Sequence, residues 1–156
     1  MPAMAVELGN IFGRLMNYGD GLYGGNFVAG MYAEAFFEDD IEKIILAGLK
    51  CIPEASQYHE AITDVISQYH KYPGDWTKAW EFINEKYHLD PEYRKFSCGS
   101  GQREFNIDAK INGAYIAMGM LYGNRDMDKT IIISTRCGQD SDLSLIHISE
   151  PTRRPI

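Results

Sequence analysis

The sequence has few cysteines and prolines and fewer basic than acidic residues. Its three cysteines in 156 residues stand far apart, which argues against a disulfide framework and against a CxxC zinc site. Lys and Arg number 15 against 22 Asp and Glu, a net charge of −7, which argues against binding to nucleic acid phosphates. No apolar run approaches the roughly 20 residues of a membrane span. We therefore expect a cytoplasmic protein that binds neither nucleic acid nor membrane.

The end of the chain does not resemble evolved protein. Residues 143–153 read LSLIHISEPTR, which is the translation of a common transposon-derived sequencing adapter. We therefore interpret residues 143–156 as adapter-derived and set them aside from arguments about the fold. The alternative is a genuine apolar strand over residues 143–148. If the tail is foreign, it packs poorly and its deletion leaves the melting temperature unchanged.

Apolar residues recur at helical spacing through most of the chain, and polar residues suited to N-caps precede these patterns. The N-cap candidates are Asp39 or Asp40, then Ser56 and Asp75, and finally Asn106 or Asp108. Residues 1–24 are rich in glycine and predict a loop, and the helical pattern begins only at Asn26. Residues 89–103 are polar and irregular and predict a long connection.

Residues 130–135 conflict with this helical pattern. Their sequence, Thr-Ile-Ile-Ile-Ser-Thr, is typical of a β-strand. However, the chain offers no second strand to pair with it, and an isolated strand would leave backbone donors unsatisfied. We therefore predict a buried helix over residues 126–135, and an all-α bundle of about six helices.

Two carboxylates stand one residue apart in the turn that follows this last helix. Asp140 and Asp142 belong to the segment CGQDSD, residues 137–142. Paired carboxylate oxygens in a glycine-containing turn suit a hard cation such as Mg²⁺ or Mn²⁺. Taken alone, an acidic pair in a loop is more typical of a helix cap or a solvated turn.

The GQDSD turn resembles the Gly-Gly-Asp-[Ser/Thr]-Asp-Thr metal motif of the ADP-ribosylglycohydrolase family. The small-residue helix before it, residues 112–118, fits the same family pattern, and the resemblance covers roughly residues 10–142. It implies an all-α hydrolase of the ADP-ribosylglycohydrolase type with two divalent ions, Mg²⁺ or Mn²⁺. Such enzymes cleave N- or O-glycosidic bonds to ADP-ribose or related glycosides. Asp140 and Asp142 would be ligands of the metal.

The glycine-rich opening of the chain carries the second part of the resemblance. Gly19, Asp20 and Gly21 resemble the Gly-Asn-Gly substrate loop of the family, with Asp20 where better-known members have Asn. By this resemblance the three residues would line the sugar or phosphate side of the cleft. We therefore predict that Asp20 and Asp140 approach the same cleft.

The chain departs from the family pattern at two points. Leu143 stands where the family has Thr, and the [Ser/Thr]-Asp-Asp motif of the N-terminal half has no counterpart. The resemblance thus implies that residues 1–142 are the C-terminal part of such a protein, with about half of the metal ligands. The general base is not identified, and we expect this chain to be inactive alone. The alternative is a non-catalytic helical protein-interaction module, in which Asp140 and Asp142 only terminate a helix.

Other chemically interesting residues have simpler interpretations. Trp76 and Trp80 stand one helical turn apart and could stack an adenine, but such a pair is more typical of a core. Cys137 adjoins the acidic turn, where a reactive thiolate would be disfavoured, so we predict that it packs in the interior.

Overall fold

The computed structural model describes residues 2–94 and 107–141, and these two ranges contain helices and no strand. The predicted all-α class is therefore confirmed. The helices are α1 (Pro2–Gly13), α2 (Asp20–Ala35), α3 (Ile41–Leu49), α4 (Gln57–Lys71), α5 (Trp76–Asn84), α6 (Pro91–Arg94), α7 (Ala109–Gly123) and α8 (Met127–Arg136). One turn of π-helix, Glu85–Leu89, continues α5. Asp142 and residues 143–156 lie outside the described ranges.

Side-chain caps determine where four of the helices begin. Each cap accepts a hydrogen bond from a backbone N–H of the first turn, as the capping rules require. The caps are Asp40 for α3, Ser56 for α4, Asp75 for α5 and Asp126 for α8. Asp108 precedes α7 as predicted, but its side chain makes no cap bond.

The glycine-rich start of the chain is helical, so the prediction of a loop up to residue 24 is wrong. α1 occupies most of this segment, and α2 begins at Asp20, ahead of Asn26. A Cβ on Gly13 would lie 2.7 Å from Cδ1 of Leu22, so glycine permits α1 and α2 to pack closely. This packing offsets the conformational entropy that glycine loses in a helix.

The predicted long connection is also shorter than expected at its start. The π-helical turn Glu85–Leu89 and the short helix α6 occupy residues that we assigned in part to the connection. Residues 95–106 lie outside the described ranges. The irregular sequence therefore concealed two short helical segments.

α7 is the central helix of the bundle. Residues 110–119 are all buried, and α2, α3, α4, α5 and α8 pack around them. Most of these buried residues are apolar or glycine, which is typical of a helix enclosed on all sides. No described helix combines the length and apolar character needed to cross a membrane.

α8 forms over Met127–Arg136, so the helix predicted against its β-branched sequence is confirmed. The expected burial is only partly correct. Thr130, Ile133 and Ser134 are buried, whereas Ile132 is 48% exposed. Packing on α7 favours the helix over the strand that local propensity suggests.

Candidate functional site

A buried ion pair marks the start of α7. The Lys110 side chain is fully buried and that of Asp108 is 8% exposed, and Lys110 Nζ donates to Asp108 Oδ2 at 2.6 Å. Removing two charges from water is costly, and their mutual attraction does not always compensate for it. A buried ion pair is therefore weak evidence for stability alone, and a functional role is a hypothesis worth testing. The first turn of α7 is therefore a candidate site.

Asp20 approaches this ion pair from α2. Gly19 has φ 55°, a left-handed conformation that glycine adopts without strain, and Asp20 follows as the first residue of the helix. Burial raises the pKa of the Asp20 carboxyl above its ordinary value of 3.8, Lys110 opposes the increase, and Asp108 adds to it. The three charged groups are thus close enough to influence one another.

Asp20→Asn is expected to stabilise the protein at neutral pH. Because the pKa of Asp20 is raised in the folded state, the folded state binds the proton more tightly than the unfolded state. Stability therefore falls as the pH rises from 3.8 through the folded pKa. Asparagine removes this dependence, so the melting temperature at pH 7 should rise.

Melting curves between pH 3.5 and pH 8 test this expectation about Asp20. The matched control is Glu54→Gln, which neutralises an exposed carboxylate and should leave the pH profile almost unchanged. An Asp20→Asn variant that melts at a lower temperature than wild type at pH 7 would contradict the assigned direction.

Tyr58 from α4 packs between α2 and α7. A Cβ on Gly113 of α7 would collide with the Tyr58 hydroxyl, and one on Gly24 of α2 would lie 3.3 Å from Tyr58 Cε2. Both glycines therefore provide the space that the ring occupies. Burial, with a smaller contribution from the negative charge of Asp20, raises the pKa of Tyr58. The phenol stays protonated at neutral pH and can serve as a hydrogen-bond donor but not as a base.

Asn112 connects the first turn of α7 to the turn after α8. Its Nδ2 donates to the backbone oxygen of Asp108 at 2.9 Å, and its Oδ1 accepts the backbone N–H of Asp140 at 3.1 Å. Gly138 and Gln139, with φ of 86° and 61°, reverse the chain after α8. The backbone of Asp140 is thereby held at the Asn112 side chain. Asp20 is related to the same helix by its electrostatic interaction with Lys110 and Asp108, and a shared cleft for Asp20 and Asp140 stays a prediction.

The turn that carries Asp140 has a second anchor in α5. Trp80 Nε1 donates to the backbone oxygen of Cys137 at 2.8 Å. Trp76 and Trp80 are partly buried and pack against the core, in keeping with the simpler interpretation. Cys137 is 2% exposed, contacts Met118, and has a pKa raised by burial. These contacts assign a packing role to the thiol, as predicted.

The metal implied by the resemblance can be compared with the donors at this site. Asp140 and Asp20 offer carboxylate oxygens, which are the donor type that Mg²⁺ and Mn²⁺ prefer. Within residues 2–94 and 107–141, no group of three or more His, Cys, Asp or Glu side chains is arranged to hold a metal ion. Asp142 lies outside these ranges. The described residues therefore fit the metal in donor type but do not form a complete coordination sphere.

Sequence reasoning overlooked three members of the site, Tyr58, Lys110 and Asn112. A signal for the last two was present, because the helix that contains them is apolar or small on every side. Such a helix is buried, so its lysine and asparagine are buried as well. Tyr58 gave no signal, since it occupies an ordinary position in the apolar stripe of α4.

The described residues define an all-α protein with a buried ion pair at the start of its central helix. No protein-family model, curated protein or solved structure matches the chain.

Proposed function

We propose that this chain is part of an ADP-ribosylglycohydrolase-like enzyme that cleaves an N- or O-glycosidic bond to ADP-ribose or a related glycoside. The supporting observation is that two segments remote in sequence each interact with residues at the start of α7. Asp20, the first residue of α2, interacts electrostatically with Lys110 and Asp108, and the backbone N–H of Asp140 donates to Asn112 Oδ1. These are the two segments on which the resemblance rests.

In this proposal the residues around α7 position the acidic groups. Asn112 accepts the backbone N–H of Asp140, and this hydrogen bond restricts the position of the backbone that carries the Asp140 carboxylate. Lys110 counteracts the effect of burial on the pKa of Asp20, which favours an ionised carboxylate that can accept a hydrogen bond from a sugar hydroxyl. Burial of these groups lowers the local dielectric and strengthens each interaction with a bound sugar.

Mg²⁺ or Mn²⁺ would be held by Asp140 and Asp142 together with further oxygen donors. Bound there, a divalent ion would supply Lewis acidity to orient sugar hydroxyls and the attacking water. Gly19, Asp20 and Gly21 would line the sugar or phosphate side of the same cleft.

Asp140→Asn tests the proposed metal role. Asparagine keeps the size of the side chain and removes one anionic oxygen donor, so the affinity for Mn²⁺ should fall by about tenfold or more. Isothermal titration of the chain with Mn²⁺ measures this change. In the complete parent protein, the same variant should lose release of ADP-ribose from modified peptides.

The matched control is Asp128→Asn, which removes an exposed carboxylate from the first turn of α8 and should leave the Mn²⁺ affinity unchanged. Equal affinities for wild type and Asp140→Asn would remove Asp140 from the metal site.

A non-catalytic interaction module is the second candidate function. It is favoured by an apolar stripe on α1, where Met4, Leu8, Ile11 and Phe12 are 50–66% exposed. Exposed apolar stripes of this kind mark interaction surfaces. In such a module Asp140 only follows the end of α8, and Asp140→Asn would bind Mn²⁺ as wild type does.

The proposal also includes a cytoplasmic location. Cys51 and Cys137 are free and buried thiols. Unpaired cysteines are typical of reducing compartments. Fractionation of cells that express the parent protein tests this assignment.

A further inference from the structure

A groove of mixed polar and apolar lining lies between α1, α2 and the segment after α3, and Gly19 is among the residues that line it. It has a volume of about 500 Å³, which is within the usual range for small-molecule sites. We call it the α1–α2 groove and define it by Asn10, Arg14, Asn17, Tyr23, Asn26 and Lys50. Asp20, Tyr58, Lys110 and Asp140 do not line it. At 100° per residue, Leu22 and Asn26 occupy a different face of α2 from Asp20 and Gly24.

The charge of the groove is opposite to that of the chain. The protein has 22 acidic and 15 basic residues, yet the groove contains Arg14 and Lys50 and no Asp or Glu. In the described ranges neither cation forms an ion pair. A lining with two cations and no carboxylate favours an anion over a cation as the ligand.

The groove also presents hydrogen-bond donors. Asn26 is 4% exposed, and its Nδ2 donates to Asn10 Oδ1 at 3.0 Å. This bond fixes the orientation of the Asn10 amide and leaves the two N–H donors of its Nδ2 for an acceptor on a ligand. Asn17, which packs over Gly21, adds a further amide at the edge of the groove.

We propose that the α1–α2 groove binds a small organic phosphate, with the phosphate group at Arg14 and Lys50. A phosphate monoester carries a charge of about −1.5 to −2 at neutral pH. Two cations therefore balance the charge of a phosphate group more closely than the charge of a singly charged carboxylate. The amide of Asn10 donates to a phosphate oxygen. The partly buried ring of Tyr23 contacts the organic part of the ligand. Phosphate binding here does not require hydrolysis, although Gly19, which the proposed function assigns to its substrate cleft, also lines this groove.

Titration with AMP, adenosine and inorganic phosphate tests the proposal. AMP should bind with a dissociation constant in the sub-millimolar range, adenosine should not bind detectably, and phosphate should bind more weakly than AMP. Arg14→Gln and Lys50→Gln should each weaken AMP binding by about tenfold, because each removes a charge-assisted hydrogen bond. Both positions are exposed, and circular dichroism verifies that the variants keep their helices.

The matched control is Lys71→Gln. Lys71 is the last residue of α4, and Arg14 and Lys50 directly follow the last residues of α1 and α3. Lys71 therefore serves as a control for a cation whose only role is to complement a helix dipole. This variant should bind AMP as wild type does. The proposal is overturned if AMP fails to bind at millimolar concentration, if the groove variants bind like the control, or if phosphate and AMP bind equally well.

Discussion

Lys110→Met should lower the free energy of unfolding by about 3–5 kcal/mol, the usual loss when one member of a buried ion pair is removed. Methionine fills a volume similar to that of lysine but removes the ammonium group that donates to the buried carboxylate of Asp108. Urea denaturation measures the change. The variant also removes the positive charge that counteracts the effect of burial on the pKa of Asp20, so that pKa should rise further.

Two further variants separate loss of the pair from loss of a lysine. Lys129→Met removes a lysine whose Nζ lies 3.4 Å from Asp126 on the surface of α8, and it should change stability little because exposed pairs contribute little. The double variant Lys110→Met with Asp108→Asn removes both buried charges and should recover part of the loss. A loss from Lys110→Met no larger than that from Lys129→Met would contradict the burial of a charged pair.

Gly119→Ala should destabilise the protein by about 1–3 kcal/mol, as expected for overpacking of a helix contact. The added Cβ would collide with Ser134 Oγ and lie 2.9 Å from the backbone oxygen of Thr130. A backbone atom cannot be moved aside by a rotamer change, so α8 would have to shift away from α7. Urea denaturation again provides the measurement.

Gly25→Ala is the control for this effect. Gly25 lies within α2, and a Cβ there would meet nothing within 4 Å. Alanine should therefore stabilise α2 by about 0.5–1 kcal/mol through its better helix propensity. Adding Ser134→Ala to Gly119→Ala should restore part of the stability, because it removes the hydroxyl that the new Cβ meets. A gain of stability in both Gly119→Ala and Gly25→Ala would contradict the close contact between α7 and α8 at Gly119.

Helix starts could be predicted from the sequence because capping is local. Asp40, Ser56 and Asp75 were among the predicted caps, and each accepts an N–H from a residue two or three positions ahead. Asp126 caps α8 in the same way, although the sequence analysis predicted only that a helix begins there. The same short range explains why these caps do not depend on the packing of the bundle. The all-α class followed from them and from the lack of a second strand candidate.

The glycine-rich start was misinterpreted because local propensity opposes the observed structure. Glycine disfavours helix, yet Gly13 lets α1 approach Leu22 of α2. A contact between two helices is not visible in either segment alone. α8 shows the opposite case, since its β-branched residues favour a strand and packing against α7 makes them helical.

The sequence predicted some residues of the candidate site and missed others. Asp20 and Asp140 were selected from motifs, whereas Lys110 and Asn112 were not, because neither a lysine nor an asparagine in a helix indicates whether it is buried. Only the position of α7 inside the bundle makes these side chains part of a site. Asp142 remains a prediction.

The sequence by itself determined the all-helical class, the caps and the sharp turn at Gly138, since each depends on a few neighbouring residues. Tertiary structure decided that α1 is a helix and that Lys110 and Asp108 are buried together, whereas a shared cleft for Asp20 and Asp140 stays a prediction. The physical reason is that burial, and the pKa changes that follow from it, depend on groups far apart in the chain.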